Sequence, residues 1–325
     1  MSGAATPLSG AIDLHAHYLP TRYREAALAH GQDRPDGMPA LPEWSEGDAL
    51  AMMDAVGIAA AALSISSPGV GFLPPAERPA LARAVNGDGA ATVGRHPDRF
   101  ALLATLPLPD VDASLAEITR AYDALGADGI GVHTHVDGVY LGDARLDPVM
   151  AALDERAAVV AIHPVSPCGW EQTAFGRPRP MLEFLFDTTR AVVNLTLSRV
   201  LTRYPHIYWV VPHAGAALSV VSDRVDRINQ MLSGDPDPVD VIAALGTVYF
   251  DLAGMPLPRA LPALLSLVGP DRLVYGSDYP FTGGPVVAGL AGLLAASPLL
   301  AEPVAQQAFR TTALGLLPRL AALAG

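Results

Sequence analysis

The sequence predicts one α/β domain over residues 1–325, a (β/α)8 TIM barrel with a long loop after strand 1 and an extra C-terminal helix. Three observations predict it. Short apolar runs bounded by turn residues alternate with longer Ala/Leu-rich segments, the pattern of repeated βα units around a parallel sheet. Half of the 325 residues are hydrophobic and 17% are charged, so the chain can bury a large core. Residues with ligand chemistry fall where the apolar runs end, as in barrel enzymes.

Eight runs read as strands: Ala11 to Leu14, Ile58 to Ile65, Phe100 to Leu106, Gly129 to His133, Ala158 to Ile162, Ile207 to Val211, Val248 to Leu252 and Leu273 to Gly276. The helices expected between and after them span Glu46 to Val56, Pro75 to Arg95, Asp112 to Leu125, Asp147 to Arg156, Met181 to Tyr204, Ala216 to Leu232, Pro258 to Val268 and Pro285 to Ala296. An open doubly wound sheet gives a similar string, so closure is an expectation. Leu19 to Ser45 is too long for an ordinary βα connection and reads as a loop capping the mouth. Gly234 to Pro238 reads as a surface loop with a short helix after it, and Glu302 to Leu323 as a terminal helical segment on the barrel's outside.

Composition excludes several function classes. With 21 basic against 33 acidic residues the formal charge is -12, which disfavours nucleic acid and anionic membranes. Every basic residue is arginine. Without lysine there is no Schiff base, no pyridoxal phosphate anchor and no phosphate-loop lysine. Cys168 is the only cysteine, so no intrachain disulfide or cysteine zinc cluster forms, and a reducing cytoplasm is expected. No signal-peptide pattern and no apolar stretch of about 18 residues is present.

Four strand ends carry the chemistry: Asp13-Leu14-His15-Ala16-His17, His163-Pro164, Pro212-His213 and Gly276-Ser277-Asp278-Tyr279-Pro280. In a strand the side chains at i and i+2 share a face, so His15 and His17 can face the barrel axis and hold one cation together. His163 and Asp278 at two other strand ends would complete a four-donor set, because burying unsatisfied imidazoles and a carboxylate would otherwise be costly; the alternative is a barrel core padded with hydrogen-bonded polar side chains.

These same motifs, with His213-Ala214-Gly215, resemble the amidohydrolase superfamily, in the branch of aminocarboxymuconate semialdehyde decarboxylase and the hydroxybenzoate decarboxylases. The stretch from Arg99-Phe100 through Leu106-Pro107-Leu108-Pro109-Asp110 to Tyr140-Leu141-Gly142-Asp143 is similar to 6-methylsalicylate decarboxylases. The resemblance implies that His15, His17, His163 and Asp278 bind a metal and that His213 is an acid/base group beside it. It also implies a homodimer, and that Arg224 reaches a neighbouring subunit's substrate carboxylate. Pairing with Asp223 or Asp226 is the equal alternative for Arg224. Two-metal members of the superfamily bridge their metals with a carboxylated lysine, so a chain without lysine is expected to hold one divalent metal, zinc first and manganese second, and no organic cofactor. The helix Glu46 to Asp54 lacks the carboxylate-binding arginine of the semialdehyde decarboxylase, which favours a smaller, more apolar acid.

Trp170, Phe175, Phe184, Phe186 and Phe281 offer aromatic surface for a benzene ring. Of the pair His133 and His135, one is expected to line the substrate cavity, with His135 chosen, or to orient a ligand. Asp251 at the end of strand seven is a candidate partner of a ligand histidine. Asp187-Thr188-Thr189 reads as a helix cap or subunit contact, and His30, His96 and His206 as solvated residues.

The leading reading is a metal-dependent, non-oxidative decarboxylase of a small ortho-hydroxylated aromatic acid, with Asp278 or His213 delivering a proton to the carboxyl-bearing carbon. The same ligands also suit a hydrolase of a lactone, ester or amide, with His213 helping to deprotonate water. A third reading is a catalytically silent binding barrel.

Overall fold

The computed structural model of the chain describes residues 7–324. Eight strands follow one another in chain order: β1 (Ala11–His17), β2 (Ile58–Ser64), β3 (Phe100–Thr105), β4 (Gly129–His133), β5 (Val159–His163), β6 (Tyr208–Val211), β7 (Tyr249–Asp251) and β8 (Leu273–Val274). Each pairs in parallel with the next. The principal intervening helices are Glu46–Val56, Arg78–Arg95, Val111–Asp123, Asp147–Asp154, Glu183–Leu197, Leu218–Leu232, Ala260–Leu264 and Gly284–Ala295. Ser45 and Asp110 cap two of them at the N-terminus, their side chains accepting from the backbone N–H of Asp48 and Ala113.

The ring closes, which separates the barrel from the open sheet. Asp13 bridges Tyr275 and Ala16 bridges Tyr279 in parallel. Leu14 N donates to Tyr275 O at 2.9 Å, Asp278 N to His15 O at 2.7 Å and His17 N to Tyr279 O at 2.8 Å. The seam is therefore stitched by the residues around Asp278, and its closure brings that carboxylate beside the two histidines of β1.

Most strand boundaries agree with the hydrophobic runs. β1 runs three residues past its apolar stretch, because the seam bonds extend the ladder to His17. The segment 19–45 contains the helix Thr21–Ala29, whose Tyr23 and Ala27 are buried, and a turn at Pro35–Gly37. Its Asp36 and Met38 line the cavity at the mouth, as a capping segment should. The single helix expected over 181–204 is divided into Glu183–Leu197 and Val200–Arg203, with Arg199 in the left-handed region at φ 63° between them.

The expectation for the C-terminal segment holds for its first half and is corrected for its second. Ala308 and Phe309 pack in the outer layer between strands and helices, whereas the chain from Ala313 to Leu320 turns under the barrel and plugs the floor. Ala313, Leu316, Leu317 and Leu320 pack with the interior layer of Ile12, Leu14, Ala60, Ala62, Ala101, Leu103, Val159, Val210 and Val274. Alanines at three of those positions leave space that the strands cannot fill, and close packing requires another element to supply the volume. Arg319 fixes the plug against the strand starts, donating to Pro97 O at 2.6 Å and Phe100 O at 2.7 Å and pairing with Asp128 at 2.8 Å.

Leu317 is fully buried in this plug. Leu317→Ala is expected to lower unfolding free energy by about 3 kcal/mol in denaturant titration. A change below about 1 kcal/mol would show that the plug is loosely held.

Candidate metal centre

His15 and His17 stand on β1, and His163 is the last residue of β5. Asp278 follows β8 at φ 59°, a left-handed conformation that a non-glycine residue adopts only when its surroundings impose it. Here the imposing contacts are the seam bonds on either side. One donor atom from each of the four residues lies within 4.8 Å of all the others. The ring centroids of His15 and His17 are 5.0 Å apart, and those of His17 and His163 4.9 Å apart.

The tautomers follow from the far side of each ring. His15 Nδ1 lies 2.7 Å from Asp251 Oδ2, and a carboxylate only accepts, so Nδ1 carries a hydrogen. His163 Nδ1 lies 2.7 Å from the carbonyl oxygen of Pro164, with the same consequence. His17 Nδ1 lies 3.0 Å from Ser64 Oγ, whose own proton goes to Ala16 O at 3.3 Å, so the imidazole is again the donor. All three Nε2 atoms thus turn towards one point. His15 Nε2 is buried without a hydrogen-bond partner. Asp278 Oδ1 lies 3.2 Å from His17 Nε2 and 3.5 Å from His15 Nε2, while its Oδ2 accepts from Thr282 Oγ1 at 3.3 Å. Buried donors of this kind fit a cation: three imidazoles held by second partners and one carboxylate are a sound donor set for a divalent metal.

Electrostatics point the same way. Burial disfavours a charged His15, but the carboxylates of Asp251 and Asp278 outweigh it and lift its pKa well above the ordinary histidine value. Burial, then the neighbouring His17 and His15, pushes His163 well below that value. Burial would raise Asp278, yet hydrogen bonds and charge from His15 and His17 hold it well below the usual carboxylate range. Burial thus keeps His163 and His17 towards the neutral form, and His15 alone is drawn to a proton, whose positive charge a cation at the Nε2 atoms would supply instead.

His213 follows β6 and lies beside the cluster, its ring 5.1 Å from that of His15. Residues His213, Ala214, Gly215 and Ala216 all have positive φ, a strained run at the strand end. Asp251 helps to hold it: while Oδ2 binds His15, Oδ1 accepts the backbone N–H of His213 at 2.9 Å and of Ala253 at 3.0 Å. The expected partner role of Asp251 thus extends to both a ligand and the candidate acid/base residue.

A cavity of about 630 Å³ opens onto this centre. His163, His213 and Asp278 form its polar end, and Phe184 and Phe281 are among its walls with Met38, Leu185 and Met255. Phe281 meets the His17 ring edge-on at 5.7 Å and Phe184 meets the His163 ring at 6.1 Å, so both brace ligands.

Three other candidates stand elsewhere. His135 is buried in the two-stranded hairpin formed by His135–Val136 and Val139–Tyr140, its ring centroid 4.6 Å from that of Tyr140 at a tilt of 40° and its Nε2 3.2 Å from Ser166 O, and does not line the cavity. Trp170 lies under the Arg179 guanidinium at 4.0 Å, outside the cavity wall. Arg224 is exposed on the Leu218–Leu232 helix and makes no hydrogen bond or ion pair among the described residues, so the pairing with Asp223 or Asp226 is not formed.

His133 is buried 6.2 Å from the His163 ring, and burial pushes its pKa down to about 4. Phe175 and Phe186 are exposed. Asp187 neither caps a helix nor faces outward: it is fully buried and accepts the hydroxyls of Thr134 and Tyr140. His30, His96 and His206 take local partners, Ala26 O, Glu46 and Asp154, away from the centre. Ser64 and Ser66, the latter 3.3 Å from His163 Nε2, were not singled out by sequence reasoning; the signal was a run of serines at the end of β2.

The amidohydrolase family model matches residues 12–319. The chain belongs to the amidohydrolase family. Among its relatives is a 6-methylsalicylic acid decarboxylase of Penicillium expansum, 32% identical over 95% of this chain and 96% of that protein. A solved amidohydrolase II superposes with a TM-score of 0.90 at 39% identity, over 95% of this chain and all of the other. The 5-carboxyvanillate decarboxylase of Sphingomonas paucimobilis shares the fold, with a TM-score of 0.85 at 24% identity over 95% of this chain and 99% of that one. For an amidohydrolase barrel, the four-residue cluster is in the expected place at the carboxyl ends of the strands.

Because the His15 pKa is raised, a cation entering at neutral pH must displace its proton. Affinity should therefore rise with pH until the His15 pKa is passed. Zinc calorimetry at pH 7 in buffers of different protonation enthalpy is expected to show release of about one proton per metal. No proton release would mean that His15 is already neutral there.

Proposed function

We propose that this chain is a metal-dependent, non-oxidative decarboxylase of a small ortho-hydroxylated aromatic carboxylic acid. The observation that carries the proposal is the polarity of the cavity: its polar end is shared with the metal cluster, and the remainder is largely apolar and aromatic. A salicylate-type acid has the same division, two adjacent oxygen functions on one edge of an apolar ring. The kinship with a protein named 6-methylsalicylic acid decarboxylase supports the reading. No arginine lines the cavity among the described residues, which favours a substrate with one carboxylate and apolar substituents.

When bound, a divalent cation supplies Lewis-acid polarisation of the acid's oxygen atoms. The side chains supply the rest. Phe184 and Phe281 hold the ring in the apolar part of the cavity, with the carboxyl-bearing edge towards His163, His213 and Asp278. A proton must reach the carboxyl-bearing carbon before carbon dioxide leaves, since direct cleavage would strand an aryl carbanion. This reading assigns the delivery to His213 or Asp278, both of which line the cavity. Burial and the neighbouring His15 keep His213 below the ordinary histidine pKa, so it exchanges a proton without holding a permanent charge.

Zinc suits three imidazoles and a carboxylate, and manganese accepts the same donors; elemental analysis of the purified protein distinguishes them. We assign a homodimer as the working unit. Met181 and Met255 line the cavity yet are 62% and 77% exposed, apolar surface that a second subunit would cover. Arg224, which makes no hydrogen bond or ion pair among the described residues, is free to meet a neighbour. The free Cys168 accords with a reducing cytoplasm.

Metal-loaded protein should release carbon dioxide from salicylate-type acids at a rate that falls at least about a hundredfold in His213→Ala. Lactone hydrolysis without carbon dioxide release would replace this reading with hydrolase chemistry. Arg224→Ala is expected to raise KM roughly tenfold, equivalent to about 1.4 kcal/mol, with kcat little changed. Unchanged KM would remove Arg224 from the site.

A further inference from the structure

β1 contains an irregularity on which the whole ligand set depends. Ile12 and Leu14 pack in the interior apolar layer above the floor. His15 and His17 face the same interior as metal ligands. Residues Leu14 and His15 are adjacent, and in a regular strand adjacent side chains take opposite faces. The pairing with β2 resolves the conflict: Asp13 is opposite Ala61 and Ala16 is opposite Leu63, so β1 has one residue more than its partner across this interval. That is a bulge, and it switches the strand from an apolar interior face below to a ligand-bearing interior face above.

A bulge leaves a backbone group out of the ladder, and a buried one must find a partner. His15 N finds Asp13 Oδ1 at 3.0 Å. The same oxygen accepts Ser277 N at 3.1 Å, from the residue immediately before Asp278. Asp13 is fully buried, and its Oδ2 has no hydrogen-bond partner. One carboxylate oxygen therefore ties the bulge that orients His15 and His17 to the chain that presents Asp278, across the seam of the barrel.

We propose that Asp13 is the positioning residue of the metal centre, setting the bulge and seam so that ligands from both ends of the chain meet around one cation. It touches neither metal nor substrate. The role concerns the metal site alone and holds whether that site decarboxylates or hydrolyses.

Cobalt binding tests it, because cobalt reports ligand geometry through its visible bands. Asp13→Ala removes the acceptor and is expected to weaken cobalt affinity about 10–100-fold and to alter the band positions. Asp13→Asn keeps an oxygen acceptor and should restore wild-type bands with affinity within about threefold. Should the alanine variant not fold, Asp13→Ser decides: it retracts the acceptor, so shifted bands and weaker binding are expected. A variant that loses only melting temperature while its cobalt spectrum and affinity stay unchanged would overturn the role, as would an asparagine variant no better than alanine or serine.

Discussion

Three imidazoles with their Nδ1 hydrogens already committed turn their Nε2 lone pairs on one another, and a positive charge between those atoms relieves the crowding. Asp251, the Pro164 carbonyl and Ser64 take the three hydrogens, and what remains is lone pairs aimed inward beside the Asp278 carboxylate. Away from a cation this arrangement draws a proton onto His15. Much of the architecture at the mouth of the barrel serves this geometry. The seam places Asp278, the strained run at His213 sits on Asp251, and the aromatic walls lean on the ligand rings.

The barrel separates stability from chemistry along its axis. The floor is apolar and sealed by the C-terminal plug, whose leucines supply the volume that Ala60, Ala62 and Ala101 do not. The opposite end is polar and opens into the cavity. The bulge in β1 marks the boundary between these regimes, since the same strand contributes Leu14 to one and His15 to the other. A carboxylate at that boundary is a cost that only an organised site would retain.

Much of this was legible in the residues. The eight apolar runs gave the strand order, and the ligand set stood at their ends because strands point side chains alternately and barrels expose one end of each strand. What was not legible is three-dimensional. Nothing local in Glu302 to Leu323 distinguishes a helix lying on the barrel from one plugging it, because an apolar face suits either. His135 follows a strand end, as a cavity residue would, but the hairpin it opens turns it to Ser166. Trp170 is aromatic and near the mouth, yet Arg179 covers it. Asp13 was visible between Ile12 and Leu14, but its role depends on Ser277, far away in the chain, and on a bulge that alternation alone conceals.

The geometry assigns one cation to His15, His17, His163 and Asp278 together. X-ray absorption on protein loaded with one equivalent of zinc tests it most directly. Three imidazole nitrogens and a carboxylate oxygen are expected around the zinc at about 2.0–2.2 Å, with one imidazole lost in His163→Ala. A shell with fewer than three imidazoles, or one unchanged by that substitution, would contradict it.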